Sequence, residues 1–224
     1  MALALPALYR STVGKKAVMA VTGGLMVLFI VAHMVGNLKI FFGRADFDGY
    51  AAWLRTIGSP VLPHGGFLWL QRAGLTLAVL LHMAAATALT LRARKARPVR
   101  YRHRARQHSY AARTMRWGGV ILALFVVWHI LDLTVGAVNP RGVPGQPYGN
   151  VVADFQPGRW PVTLFYALAV LALGLHLRHG VRSALQSLGR GSTDRAGALS
   201  TGFALVIVAG FLSVPFAVMT GLVK

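Results

Sequence analysis

Residues 117–138 read WGGVILALFVVWHILDLTVGAV, a run broken only by one histidine and one acid. A transmembrane helix takes roughly 20 mostly apolar residues, so this stretch predicts a membrane span. Imidazole and carboxyl groups are costly in hydrocarbon, and an ionisable residue inside a span marks a functional site. His129 and Asp132 are therefore the first candidates for function.

Four further stretches have the same character, and together they predict an all-α integral membrane bundle of five transmembrane helices. The chain of 224 residues is 55% hydrophobic, which is too apolar for a soluble domain of this length. A single domain over residues 1–224 is expected. The predicted spans are residues 17–42, 66–91, 117–138, 160–177 and 198–223.

Composition excludes several kinds of chemistry. The chain has no cysteine, which rules out disulfides, thiolate catalysis, iron–sulfur ligation and cysteine-bound zinc within it. It also has no glutamate, and its five acids are all aspartates. The net charge of +19 would suggest nucleic acid in a soluble protein. Here the basic residues cluster between apolar spans, so no nucleic-acid partner is expected.

The distribution of charge predicts the orientation. The segment between spans two and three holds ten Lys and Arg, and the segment between spans four and five adds four. The opposite loops hold four and two. By the positive-inside rule, the N-terminus and both basic segments lie in the cytoplasm, and the C-terminus lies outside. A bacterial inner (plasma) membrane is the expected location.

Four histidines fall inside four different spans: His33, His82, His129 and His176. A helix rises 1.5 Å per residue, which places His33 roughly 24 Å and His129 roughly 18 Å from the cytoplasmic side. Spans two and four run the other way, so His82 and His176 lie roughly 24 Å from the outer side. The histidines thus form an outer and an inner level, each with two imidazoles from different helices.

Two imidazoles at each of two depths are what two bis-histidine haems require. With both axial positions filled, no site is left for O₂, and this favours electron transfer. Small residues near two of the histidines would leave room for a macrocycle, although they also serve helix packing. They are Gly74 and Ala78 before His82, and Ala172 before His176.

Other roles for these histidines stay open. Each could be a polar group bonded to a neighbouring helix, and intramembrane histidines also occur in metal transporters. His179 competes with His176 for the ligand role, although its place between Arg178 and Arg182 indicates the headgroup region. The three remaining histidines are predicted to be solvated: His64, His103 and His108.

Asp132 follows His129 by three residues and is the only acid within a predicted span. It could bond a quinone, relay a proton or pair with Arg72, which could instead hold a haem propionate or snorkel to the interface. Asn37, four residues after His33, could orient a propionate or cap its helix. A quinone site is expected either at the outer level, near Asp132, Arg72 and Trp69, or at the inner surface, near Ser11, Lys15 and Arg113.

Six motifs together resemble the five-helix, dihaem cytochrome b membrane subunit of succinate:quinone oxidoreductases, in its bacterial single-polypeptide form. They are STVGKK at 11–16, HMVGNL at 33–38, RTMRWGG at 113–119, WHILDLT at 128–134, YGNVV at 148–152 and LGLHLRHG at 173–180. With His82, the motifs extend the resemblance over nearly the whole chain.

The resemblance implies a pairing of ligands that agrees with the depths. His82 and His176 would hold the haem b nearer the cytoplasm, and His33 and His129 the distal one. A flavoprotein subunit and an iron–sulfur subunit would be the partners, and quinone, often menaquinone, would react in this subunit. Some members of the family use membrane glutamates in quinol oxidation. This chain has none, which leaves Asp132 as the only acid in a span to take that part.

Two alternatives remain at this stage. A dihaem subunit of another quinone-linked complex, such as a hydrogenase or a formate dehydrogenase, would need the same four histidines. A basic five-span scaffold or transporter without cofactor would need none of them as ligands.

Overall fold

The structure is a computed structural model, and it describes residues 11–96, 106–187 and 194–224, with the backbone alone at 106–114 and at 187. These residues form helices and connecting turns, and no strand occurs among them, which confirms the all-α prediction. The α-helices are α1 (Thr12–Leu38), α2 (Arg44–Trp53), α3 (Gly66–Lys95), α4 (Arg106–His129), α5 (Pro147–Asp154), α6 (Trp160–Ser187) and α7 (Asp194–Met219).

Five membrane-spanning segments are long and apolar enough to cross a bilayer, as predicted. They are Thr12–Phe42, Gly66–Lys95, Met115–Val135, Pro157–Gln186 and Asp194–Met219. Most of their large apolar side chains are exposed on the protein surface, among them Leu28, Leu80, Leu124 and Leu205. Such surfaces suit lipid, and helices satisfy their backbone hydrogen bonds internally, as a bilayer demands. The chain is a multi-pass membrane protein.

The ends of several helices follow from local chemistry. Ser11 precedes α1 and accepts a hydrogen bond from the backbone N–H of Gly14 at 2.9 Å, which is an N-cap. Pro147 begins α5, where its missing N–H costs nothing. A short helix, α2, runs from Arg44 to Trp53 between the first two spans.

Span three departs from a plain α-helix. After His129 the helix widens into a π-helical segment, Ile130–Val135, which contains Asp132. Gly136 ends it with φ of +78°, a conformation that glycine adopts readily, and its N–H bonds the carbonyl of Leu131. Because π-helical turns add a residue to each turn, Asp132 is not placed relative to His129 as an unbroken α-helix would place it.

The chain divides into two compact units. Among the described residues, the first contains 11–32 and 54–96, so it holds most of α1 together with α3. The second contains His33–Trp53 and Arg106–Lys224, so it holds the end of α1 and the helices α2, α4, α5, α6 and α7.

The second unit has a buried core built from α2, α5, α6, α7 and the C-terminal turn. The core residues are Ile40, Phe47, Tyr148, Phe155, Tyr166, Val214, Ala217, Val218 and Val223. Polar bonds tie the short helices to this core: the N–H of Tyr148 donates to Asp48 at 2.9 Å, and its hydroxyl donates to the carbonyl of Lys224. The segment between spans three and four is thereby fixed against the ends of the long helices.

Candidate functional site

His33 and His129 are brought together in the second unit. Their ring centroids are 5.9 Å apart, and the ring planes are inclined by 83°. His33 comes from the last turns of α1, and His129 is the last residue of α4. The Nδ1 atom of His129 is buried without a hydrogen-bond partner. An imidazole nitrogen in that condition is suited to a metal ion or to a group that the chain itself does not supply.

Aromatic side chains enclose these two histidines. The ring centroid of Phe211 in α7 is 6.0 Å from that of His33. The ring centroids of Phe125 and Tyr166 are 5.7 Å and 5.9 Å from that of His129. The lining of this site is therefore largely apolar, with polar atoms only at a few points. Apolar pockets with a few fixed polar groups are typical of cofactor sites.

His82 lies in the first unit, on α3, beside the first turns of α1. Its Nδ1 atom is 3.2 Å from the hydroxyl oxygen of Thr22, and the ring also bonds the backbone of Met19. A Cβ atom added to Gly23 would lie 3.4 Å from Cε1 of His82. Glycine thus lets the imidazole lie close to the α1 backbone.

His176 lies in the second unit, on α6, and has a comparable glycine neighbour. A Cβ atom added to Gly119 of α4 would lie 3.9 Å from Cε1 of His176. Both histidines assigned to the inner level thus lie beside a glycine of the preceding span, Gly23 or Gly119. His179, the competing candidate, is half-buried on the same helix among arginines. His64 is exposed in a loop, and the side chains of His103 and His108 lie outside the described residues.

Asp132 is almost completely buried, with 1% of its surface exposed. Its Oδ2 atom accepts a hydrogen bond of 2.7 Å from the hydroxyl of Tyr166. Its second neighbour is the carboxyl group of Asp154, at the end of α5, which is 0% exposed. Arg159 donates to Asp154 Oδ1 at 2.7 Å and completes the group.

Burial and the neighbouring carboxylate of Asp132 raise the pKa of Asp154 from 3.8 to about 7, although Arg159 opposes the shift. Two carboxylates buried side by side cannot both stay ionised without a large cost. The geometry therefore favours one proton on this pair of carboxyl groups.

Other predicted site residues have different surroundings. The guanidinium of Arg72 lies over the ring of Trp69, 4.9 Å from its centroid, and both side chains are exposed. Ser11 caps α1, and Lys15 is 7% exposed although it is charged. Asn37 is half-buried one turn after His33. The side chain of Arg113 lies outside the described residues.

Sequence analysis missed the three residues that surround Asp132, namely Asp154, Arg159 and Tyr166. Asp154 and Arg159 lie between predicted spans three and four, outside every stretch apolar enough to be predicted as a span. Their spacing of five residues across a turn was the available signal. Arg159, rather than Arg72, is the arginine that forms an ion pair with this acidic group.

Comparison with known families gives one match. The profile of the succinate dehydrogenase/fumarate reductase transmembrane subunit matches residues 90–217, which is more than half of the chain. The chain belongs to this family. The matched region includes His129 and His176, as well as the acidic pair and Arg159. No curated protein and no solved structure matches the chain.

As a member of the succinate dehydrogenase/fumarate reductase transmembrane subunit family, the chain is a membrane subunit of an enzyme complex. In the described residues, no group of three or more His, Asp or Glu side chains could hold a metal ion. A haem iron with two axial imidazoles needs only two protein ligands.

Proposed function

We propose that this chain is the dihaem cytochrome b anchor of a bacterial succinate:quinone oxidoreductase. It would pass electrons from an iron–sulfur subunit through two b haems to or from a quinone, with menaquinone the expected type. Succinate and fumarate would be interconverted on a flavoprotein subunit. Family membership supports the complex, and the arrangement of His33 and His129 supports the haem.

The observation that carries the proposal is the 5.9 Å separation of the His33 and His129 ring centroids. Two imidazoles from different helices that come together among aromatic side chains are a donor set that would hold a haem iron. The buried Nδ1 of His129 and the apolar lining fit the same group. When bound, a haem supplies one-electron chemistry.

The residues of the chain would hold and tune this group. His33 and His129 would be the axial ligands of the outer haem, and His82 and His176 those of the inner haem. Thr22 and Met19 fix the orientation of the His82 ring, as neighbouring groups do for metal-binding histidines. The aromatic side chains around His129 exclude water and so bear on the redox potential.

The partners follow from the same proposal. The basic segments at the cytoplasmic face would dock the iron–sulfur subunit, because complementary charge steers such contacts. Two places remain candidates for a quinone site. The first, at the outer level, would use Asp132, Arg72 and Trp69. The second, at the inner surface, would use Ser11, Lys15 and Arg113.

Purification of the complex from its own membrane tests the proposal. We expect a flavoprotein and an iron–sulfur protein to co-purify, together with two b-type components in the reduced-minus-oxidised spectrum. His33→Ala and His129→Ala should remove one component, and His82→Ala and His176→Ala the other, because each haem needs both axial ligands.

Two matched controls sharpen this experiment. His64→Ala changes an exposed loop histidine and should leave both components, and His179→Ala should do the same if His176 is the ligand. Loss of the same component from His33→Ala and His82→Ala would overturn the pairing. A complete absence of haem would overturn the proposed function.

A further inference from the structure

The buried acids at the end of span three form a site of their own. Asp132 and Asp154 are 1% and 0% exposed, and the carboxyl group of Asp132 is a close electrostatic neighbour of that of Asp154. Asp132 Oδ2 accepts a hydrogen bond from the hydroxyl of Tyr166, and Asp154 Oδ1 accepts one from the guanidinium of Arg159. The other two oxygens, Asp132 Oδ1 and Asp154 Oδ2, are buried without a hydrogen-bond partner in the chain.

The net charge of Asp132, Asp154 and Arg159 indicates whether the two carboxyl groups bind a proton or a metal ion. Two ionised carboxylates and one guanidinium would leave a net charge of −1 buried, and uncompensated buried charge is strongly destabilising. One proton makes the group neutral and supplies the hydrogen that both unpaired oxygens lack. A metal ion would need further oxygen ligands, and no group of three or more His, Asp or Glu occurs among the described residues.

We propose that Asp132 and Asp154 form a proton-binding site, in which two buried carboxyl groups share one proton between Asp132 Oδ1 and Asp154 Oδ2. The side chain of Arg159 is 21% exposed, so it links the buried pair to the surface of the protein. The hydroxyl of Thr163 is also buried without a hydrogen-bond partner among the described residues. Thr163 lies four residues after Arg159 and three before Tyr166, so it shares the face of α6 that carries Tyr166.

The pair of carboxyl groups lies close to His129, and Tyr166 connects the two. Tyr166 bonds Asp132 through its hydroxyl and contacts His129 with its ring. A buried charge acts strongly over such short distances. Under the proposed function, on which this step rests, the protonation state of the pair therefore alters the midpoint potential of the haem at His129.

The dependence of stability on pH has a definite sign. The pKa of Asp154 is raised in the folded protein, to about 7 from 3.8, so the folded state binds the proton more tightly than the unfolded state. The stabilisation is complete below the unfolded pKa and is lost as pH rises through the folded one. The ionisable groups around Asp154 are Asp132, Arg159 and Tyr166, with His129 beyond Tyr166.

The first experiment measures thermal unfolding and the infrared C=O band of protonated carboxyl groups, between about pH 5 and pH 8. In the wild-type complex, the unfolding temperature should fall as pH rises, and one buried carboxyl band should titrate. Asp132→Asn and Asp154→Asn should each abolish that band and the associated slope. Asp46→Asn, which changes an exposed acid of α2, should retain both.

A wild-type protein without any protonated carboxyl band would overturn the proposal, whether or not the variants fold. So would stabilisation by Na⁺ or Ca²⁺ that Asp132→Asn removes, because the pair would then be a cation site. The second experiment is a redox titration of the outer haem, whose midpoint potential should fall as pH rises in the wild type and much less in Asp154→Asn. A pH-independent potential in a chain that binds both haems would refute the link to His129 and leave the proposed function standing.

Discussion

At the scale of single residues, the contact between Thr22 and His82 fixes the orientation of an imidazole ring. The Thr22 hydroxyl donates to the carbonyl of Val18 at 2.7 Å, so its oxygen can accept a hydrogen bond from His82 Nδ1 at 3.2 Å. Metal-binding histidines usually have their second nitrogen fixed in this way.

Thr22→Val keeps the branched shape and removes the acceptor, so it tests this contact. We expect the inner haem to remain bound, with a changed midpoint potential and altered electron paramagnetic resonance, because the His82 ring loses one of its two fixed bonds. Loss of an outer-shell partner typically weakens a metal site 10- to 100-fold.

Thr76→Val is the matched control, since Thr76 is exposed on the same helix as His82. It should leave the spectrum and the potential as they are. If Thr22→Val behaved like Thr76→Val, the hydroxyl would have no part in orienting His82.

At the scale of helices, the sequence predicted the membrane spans because each span is a long run of apolar residues. Long apolar runs predicted all five spans, although α1 begins earlier and α6 extends well beyond residue 177. The extensions include basic, polar and small residues, as in Gly180–Ser187. They continue the helix because backbone hydrogen bonds do not require apolar side chains.

The π-helical segment after His129 could not be predicted in this way. The apolar residues at 130–135 are equally compatible with an α-helix and a π-helix. Which of the two helices forms depends on tertiary contacts such as that between Asp132 and Tyr166. Depth alone, by contrast, placed His33 and His129 at one level, and their ring centroids are 5.9 Å apart, while their role as ligands stays a prediction. Asp154 was not, because nothing in a loop sequence shows that a carboxyl group will be buried.

Close packing of α6 against α7 depends on Gly174. A Cβ atom at this position would collide with Cγ2 of Val208, a β-branched residue with little rotamer freedom. Gly174→Ala should therefore lower stability, since overpacking costs about 1–3 kcal/mol and the better helix propensity of alanine returns only about 1 kcal/mol. Thermal unfolding of the detergent-solubilised complex measures this.

Gly180→Ala is the control on the same helix, where an added Cβ atom would meet nothing within 4 Å. It should leave the unfolding temperature unchanged or raise it slightly. Equal effects of the two substitutions would mean that helix propensity, rather than contact with Val208, governs glycine in α6.

At the scale of the whole molecule, the labels inner and outer depend on orientation in the membrane. Fourteen Lys and Arg lie in the two segments assigned to the cytoplasm, and six lie in the two opposite loops. This asymmetry predicts that the N-terminus is inside and the C-terminus outside. Five spans in the described residues would place Thr12 and Met219 on opposite sides of the membrane.

Reporter fusions test this orientation directly. A reporter active only in the periplasm should give signal when it is fused after Lys224 and none when it is fused at Arg104, because basic segments resist translocation. A reporter active only in the cytoplasm should show the reverse and controls for expression. If the fusion at Arg104 were periplasmic, His82 and His176 would lie at the outer level. The iron–sulfur subunit would then dock beside His33 and His129, and the acidic pair of Asp132 and Asp154 would exchange its proton with the cytoplasm.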